Sequence, residues 1–143
     1  MSGRPVRIYI VEDSRLLVGA LRLHIKEHRG LELIGQAATE KQATEEIRSL
    51  QPDLVLLDIH LAQGDGFEVL AQLNQIESRP VVAMMTFEPS TALRSRAGDS
   101  GANLFFDKAS EAGALLDLLN NLGSGKITLA SLSMPKTNQT YHE

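Results

Sequence analysis

Five side chains that can bind cations or phosphate follow apolar runs of the sequence. Glu12 and Asp13 come directly after the first run, and Asp58 ends a later one. Thr86 and Lys108 follow two further runs in the same way. Carboxylates brought to one place repel each other unless a cation neutralises them, and ligand sets made only of oxygen favour Mg²⁺. Lys108 is a point charge suited to a phosphoryl oxygen, so these residue types together indicate phosphoryl transfer to a carboxylate.

The apolar runs predict five β-strands that alternate with five helices. We expect the strands at Arg7–Val11, Leu31–Ala37, Asp53–Asp58, Pro80–Thr86 and Ala102–Phe106. Residue types that cap or open helices predict helix starts at Ser14, Thr39, Asp65, Pro89 and Ser110. This alternation predicts an α/β fold of the flavodoxin-like, doubly wound (βα)5 type, with a five-stranded parallel sheet in the order 2-1-3-4-5.

That strand order makes the first and third strands neighbours, so their terminal acids should meet at the carboxyl edge of the sheet. We expect Asp58 to be the nucleophile there, because it ends the central strand. Asp13 is expected to bind the metal directly, and Glu12 to act through water. Thr86 and Lys108 should reach the same rim from the fourth and fifth strands.

The composition limits the classes of function. The chain has 143 residues, a net charge of −4 and no cysteine, which predicts one cytoplasmic domain without disulfides. The acidic balance argues against nucleic-acid binding by this domain, and no apolar run is long enough for a membrane span. We expect the folded domain at residues 5–122 and a polar, flexible tail at 123–143.

The same residues resemble a known family, the receiver domain of bacterial two-component response regulators, over about residues 5–122. The resemblance rests on Val11-Glu12-Asp13, Leu56-Leu57-Asp58-Ile59, Asp65-Gly66, Thr86 and Phe105-Phe106-Asp107-Lys108. It implies that Asp58 takes a phosphoryl group from a sensor histidine kinase or a histidine phosphotransfer protein, and that Mg²⁺ is required. It also implies that the main-chain carbonyl of His60 completes the metal site, and that Thr86 and Phe105 are switch residues.

By the same resemblance, rearrangement of the switch residues would remodel the face formed by the fourth helix, fifth strand and fifth helix. That face would bind an output protein that the sequence does not identify. Members of the family commonly form homodimers through it.

Two positions depart from the family pattern. Ala109 follows Lys108 where the family has a proline, often after a cis bond, so we expect a trans bond here. Phe87 is bulky where the family favours small residues, and is expected to shield the phosphoryl group from water or to restrict small phosphodonors.

Three interpretations of the whole chain remain open. The first is a stand-alone signalling switch, and the second is the receiver part of a longer DNA-binding response regulator. The third is an aspartate-based phosphohydrolase, which is less favoured because His60 stands where such enzymes place a second acid. His24 and His28 have the i, i+4 spacing of a metal-binding pair, but a solvated helix face is the expected interpretation of that pair.

Overall fold

The computed structural model describes residues 3–132. Within them the strands are β1 (Val6–Val11), β2 (Leu31–Ala37), β3 (Leu54–Asp58), β4 (Val81–Thr86) and β5 (Leu104–Asp107). The α-helices are α1 (Arg15–Lys26), α2 (Glu40–Leu50), α3 (Gly66–Leu73), α4 (Thr91–Asp99) and α5 (Ala112–Gly123). A short 3-10 helix at Leu129–Leu132 follows α5. In this part of the chain, no helix is long and apolar enough to cross a membrane.

The strands form one parallel sheet in the order β2-β1-β3-β4-β5, which confirms the predicted flavodoxin-like fold. Alternate residues of each strand point to opposite faces of a sheet. Ile8 and Ile10 accordingly pack on the side covered by α1 and α5. Tyr9 and Val11 pack on the side covered by α2, α3 and α4. Both faces of the sheet are therefore buried, as in other doubly wound folds.

Three of the predicted helix starts are confirmed by their caps. The side chains of Ser14, Thr39 and Asp65 each accept a hydrogen bond from the backbone N–H three residues later. These bonds satisfy donors that have no partner within the helix itself.

The other two helix starts were predicted wrongly. α4 begins at Thr91, after Pro89, because Ser90 is its N-cap and accepts from Leu93 N. α5 begins after Glu111. The Ser110 hydroxyl instead donates to Asp107 Oδ2 at 2.7 Å, so it is engaged with the end of β5.

The first residues of the predicted tail lie against the domain. Gly123 is the last residue of α5, and Ile127, Leu129 and Leu132 pack against the apolar cluster on the α1 and α5 side. Asn103 Nδ2 also donates to the Leu132 carbonyl at 3.2 Å. This described part of the tail is therefore held to the domain, whereas 133–143 lie outside the described residues and the division at 122 stays a prediction.

Candidate functional site

The three predicted acids meet at the carboxyl edge of the sheet. β1 and β3 are adjacent and in register, with Val11 opposite Leu57, so the residues that follow are brought side by side. One carboxylate oxygen from each of Glu12, Asp13 and Asp58 lies within 4.8 Å of the others. Glu12 and Asp58 are buried, and Asp13 is exposed. The cluster is therefore open to solvent on the side of Asp13.

Lys108 reaches this cluster from the end of β5. Its Nζ lies 2.7 Å from Glu12 Oε1 and 3.2 Å from Asp58 Oδ2, and only 6% of its side chain is exposed. The backbone fixes this position, because Lys108 N donates to the Thr86 carbonyl at 2.8 Å. A buried ammonium is stabilised only when partners compensate its lost hydration, and here two carboxylates do so.

Glu12 has more direct contacts than the sequence suggested. Its Oε1 pairs with Lys108, and its Oε2 accepts from Ser14 N at 3.0 Å. The sequence analysis gave it a role through water, which stays a prediction for the metal-bound form. In this structure Glu12 forms an ion pair with Lys108 and accepts a hydrogen bond from the backbone N–H of Ser14.

Burial raises the pKa values of Glu12 and Asp58, the two buried acids of the cluster. Desolvation raises the pKa of Glu12, and the hydrogen bond from Lys108 opposes that rise. Desolvation likewise raises the pKa of Asp58 against the attraction of Lys108. A buried carboxylate loses more hydration than a single shared ammonium restores. Negative charge at this edge is therefore costly, and a further cation would relieve it.

The loop after β3 is held close to Asp58. His60 N lies 3.4 Å from Asp58 Oδ1, and Gly66 N donates to the Ile59 carbonyl at 2.7 Å. A Cβ at Gly66 would collide with the Asp58 carbonyl oxygen, so the close approach of α3 to the site requires glycine. The His60 side chain is exposed, with Nε2 3.8 Å from Glu88 Oε1, and the role of its carbonyl in metal binding stays a prediction.

Thr86 lies at the end of β4, beside β3, and is fully buried. Its Oγ1 accepts from Glu88 N at 3.0 Å, so its hydroxyl helps to shape the loop that follows β4. Phe105 is partly buried on β5. Both predicted switch residues thus lie on the strands that frame the site, and their roles as switches stay predictions.

Sequence reasoning missed the side-chain contacts that cover Phe105 and Lys108. The Arg94 guanidinium lies 4.5 Å from the centre of the Phe105 ring, and its Nη2 lies 3.1 Å from Glu111 Oε1. The Phe87 ring lies 4.8 Å from Lys108 Nζ and is 61% exposed. Sequence spacing carries no signal for contacts between separate loops and helices.

The Lys108–Ala109 bond is trans as expected, since residues 3–132 contain no cis peptide bond.

Comparison with known families settles which kind of protein this is. Residues 8–120 match the family model described as the response regulator receiver domain. The chain belongs to this family. Its five-stranded fold is that of a receiver domain of the two-component response-regulator type.

The curated relatives of this receiver domain are longer proteins. A protein-glutamate methylesterase/protein-glutamine glutaminase from Geobacter metallireducens is 33% identical over 109 residues, which is 76% of this chain and 30% of that protein. A protein of the same description from Alkalilimnicola ehrlichii is 30% identical over 104 residues, which is 72% of this chain and 27% of that protein. The chain therefore spans less than a third of these relatives.

Solved structures share its fold. The response regulator domain of Thermotoga maritima CheB is 23% identical, with a TM-score of 0.73, and the match covers 85% of this chain and 98% of that chain. The signal receiver domain of a putative Luxo repressor protein from Vibrio parahaemolyticus is 26% identical, with a TM-score of 0.74, covering 92% of this chain and 98% of that one.

The acid cluster of this receiver domain fits Mg²⁺. It presents carboxylate oxygens and no softer ligand, which is the donor type that Mg²⁺ prefers. Asp13 is exposed, which leaves an open side for the waters that Mg²⁺ retains. The site thus has the chemistry for a hard divalent cation, and the assignment of Asp13, Asp58, His60 and Glu12 as its ligands stays a prediction.

Proposed function

We propose that this receiver domain is a phosphorylation-dependent switch in which Asp58 accepts a phosphoryl group. The donor would be a phosphohistidine of a sensor histidine kinase or of a histidine phosphotransfer protein. An oxygen of the Asp58 carboxylate forms the new P–O bond while the P–N bond of the phosphohistidine breaks. The observation that carries this proposal is the placement of Asp58 beside Lys108 Nζ, 3.2 Å away, at the sheet edge.

The residues around Asp58 have separate roles in this proposal. Mg²⁺, held by Asp13, Asp58, the His60 carbonyl and Glu12, would neutralise charge on the phosphoryl oxygens. Lys108 would leave its contact with Asp58 Oδ2 to bind a phosphoryl oxygen, because the acyl phosphate carries more charge than the carboxylate. Thr86 would donate its hydroxyl hydrogen to another phosphoryl oxygen.

The output would come from the face made by α4, β5 and α5. A phosphoryl group adds roughly −1.5 to −2 charge at one point, which is enough to bias a two-state element. Movement of Thr86 would free space beside Phe105, whose ring is covered by Arg94. An output protein would then bind the rearranged face. The cytoplasm is the proposed location, since the histidine donors of such relays carry the phosphoryl group there.

The test is intact mass after incubation with a phosphodonor, with Mg²⁺ and with a chelator. We expect a gain of one phosphoryl group that requires Mg²⁺ and is lost in Asp58→Asn. Asp65→Asn is the matched control, because Asp65 caps α3 and should leave the modification intact. Modification that persists in Asp58→Asn would overturn the proposal. So would its absence with both acetyl phosphate and a panel of phosphorylated histidine kinases.

A further inference from the structure

His24 and His28 lie far from the acid cluster and have no part in the proposed phosphoryl chemistry. His24 lies in the last turn of α1, and His28 lies two residues beyond the end of that helix, in the turn that leads to β2. Their ring centres are 5.2 Å apart and the ring planes are tilted by 39°. The sequence analysis expected a solvated helix face here, but both side chains are half-buried.

A side chain of α5 lies beside His24. His24 Nε2 and Asn120 Oδ1 on α5 form a hydrogen bond of 2.9 Å. Two ligand atoms of one Zn²⁺ ion lie about 3 Å apart, given bonds of about 2.0–2.1 Å. The distance between His24 Nε2 and Asn120 Oδ1 is therefore close to the distance between two ligand atoms of one metal ion.

The packing around His28 holds its ring in place. A Cβ at Gly123 would lie only 3.0 Å from His28 Cβ and Cδ2, so the absence of a side chain at 123 makes room for the imidazole. His28 Nδ1 is buried and has no hydrogen-bond partner among residues 3–132. A buried polar atom of this kind calls for an explanation, and a fixed imidazole is a site with little ordering cost for a metal.

We propose that His24, His28 and Asn120 form a binding site for a late first-row divalent metal ion, such as Zn²⁺, that joins α1 to α5. Imidazole nitrogens suit such ions, whereas the acid cluster suits Mg²⁺. The ion would take one ring nitrogen from each histidine and the Asn120 side-chain oxygen, and water would fill the remaining position. This site is independent of the phosphorylation proposal.

The chain offers a matched test, because it contains four histidines: 24, 28, 60 and 142. Untagged protein would be titrated with Zn²⁺ by calorimetry, in saturating Mg²⁺ to occupy the acid cluster. We expect one saturable site that is lost in His24→Gln and in His28→Gln. His60→Gln and His142→Gln should bind as the wild type does. Binding that survives in His28→Gln, or no saturable binding in the wild type, would overturn the assignment.

Two further measurements separate a metal site from simple helix packing. Zn²⁺ should raise the midpoint of thermal unfolding of the wild type, and this shift should vanish in the folded His28→Gln variant whatever its own midpoint. Asn120→Ala should weaken Zn²⁺ binding severalfold, and an unchanged affinity would overturn a site that spans two helices. Asp13→Asn should leave the Zn²⁺ affinity unchanged, since that residue belongs to the acid cluster.

Discussion

At the scale of single residues, the site is an unbalanced charge cluster. Lys108 is shared between two buried carboxylates, and Asp13 adds a third acid at the surface. The sequence predicted which residues meet, because strand order alone brings the ends of β1, β3 and β5 to one edge. It could not predict that Lys108 pairs most closely with Glu12, since that depends on how deeply each side chain is buried.

The raised pKa values of the two inner acids predict a pH dependence of stability. The folded protein holds protons on Glu12 and Asp58 more tightly than the unfolded chain, whose ordinary values are 4.5 and 3.8. Their contribution is therefore present below those values and is lost as the pH rises through the higher folded values. Without divalent ions, we expect the contribution of these two groups to the free energy of unfolding to fall as the pH rises from acidic to neutral.

Denaturant unfolding at a series of pH values measures this effect. Asp58→Asn should show a shallower fall, because one of the two titrating groups is gone. Added Mg²⁺ should stabilise the wild type more at neutral than at acidic pH, since its ligands must be deprotonated. Equal slopes for the wild type and Asp58→Asn would contradict the assignment.

Phe87 belongs to the same scale, since one ring covers the Lys108 ammonium at the mouth of the site. A cation–π contact contributes about 0.5–1 kcal/mol at exposed sites and about 2 kcal/mol when the cation is desolvated, and Lys108 is buried, so Phe87→Ala should cost about 2 kcal/mol or less. We expect this substitution to speed phosphorylation by acetyl phosphate and also hydrolysis of the acyl phosphate. The reason is that acetyl phosphate and water would each reach Asp58 more easily without the ring. Phe87→Tyr keeps the ring and is the control. Equal rates for the two variants, followed by intact mass, would rule out shielding by the ring.

At the scale of elements, α4 has the fewest buried residues of the five α-helices in the described chain. Ala97 is its one fully buried residue. Leu93 is partly buried against the same core, and two arginines contact aromatic rings, with Arg94 over Phe105 and Arg96 over Phe67 at 3.8 Å from the ring centre. The sequence did not predict these contacts, because arginines on an exposed face carry no signal for the aromatic ring they cover.

Removing these contacts should loosen α4 without unfolding the domain. Arg94→Ala and Arg96→Ala should each speed amide hydrogen exchange across Thr91–Asp99 and cost about 1 kcal/mol or less of global stability. Lys41→Ala on the exposed face of α2 serves as the comparison. Exchange in α4 that matches the Lys41→Ala protein would show that the arginines do not hold the helix.

The predicted and observed element boundaries differ where local chemistry competes. Both Pro89 and Ser90 can start a helix, and the side-chain bond of Ser90 to Leu93 N decides between them. Ser110 is a good cap by type, but Asp107 engages its hydroxyl first. Strand interiors were predictable because burial on both faces requires continuous apolar runs.

At the scale of the whole molecule, residues 124–132 add a layer that the sequence did not reveal. Ile127, Leu129 and Leu132 are separated by small or polar residues and make no long periodic pattern, yet they pack on the α1 and α5 side. Only the folded sheet creates the surface that they cover. Composition alone therefore suggested a tail where part of the chain is packed.

Truncation tests this packing. A chain that ends at Gly125 should lose about 1–3 kcal/mol of stability, since partial burial of three apolar side chains contributes on that order. A chain that ends at Leu132 keeps these contacts and should withstand more urea than the chain that ends at Gly125. Equal stability of the two truncated chains would mean that the segment contributes nothing.

The central claim is that Asp58, among the acids of this edge, is the residue that receives the phosphoryl group. Reduction of the phosphorylated protein with borohydride converts the acyl phosphate of an aspartate to homoserine, which peptide mapping by mass spectrometry locates. We predict homoserine at position 58 alone, only after reaction with a phosphodonor and Mg²⁺. Homoserine at position 13 instead, or a phosphorylated protein with no homoserine at position 58, would contradict the claim.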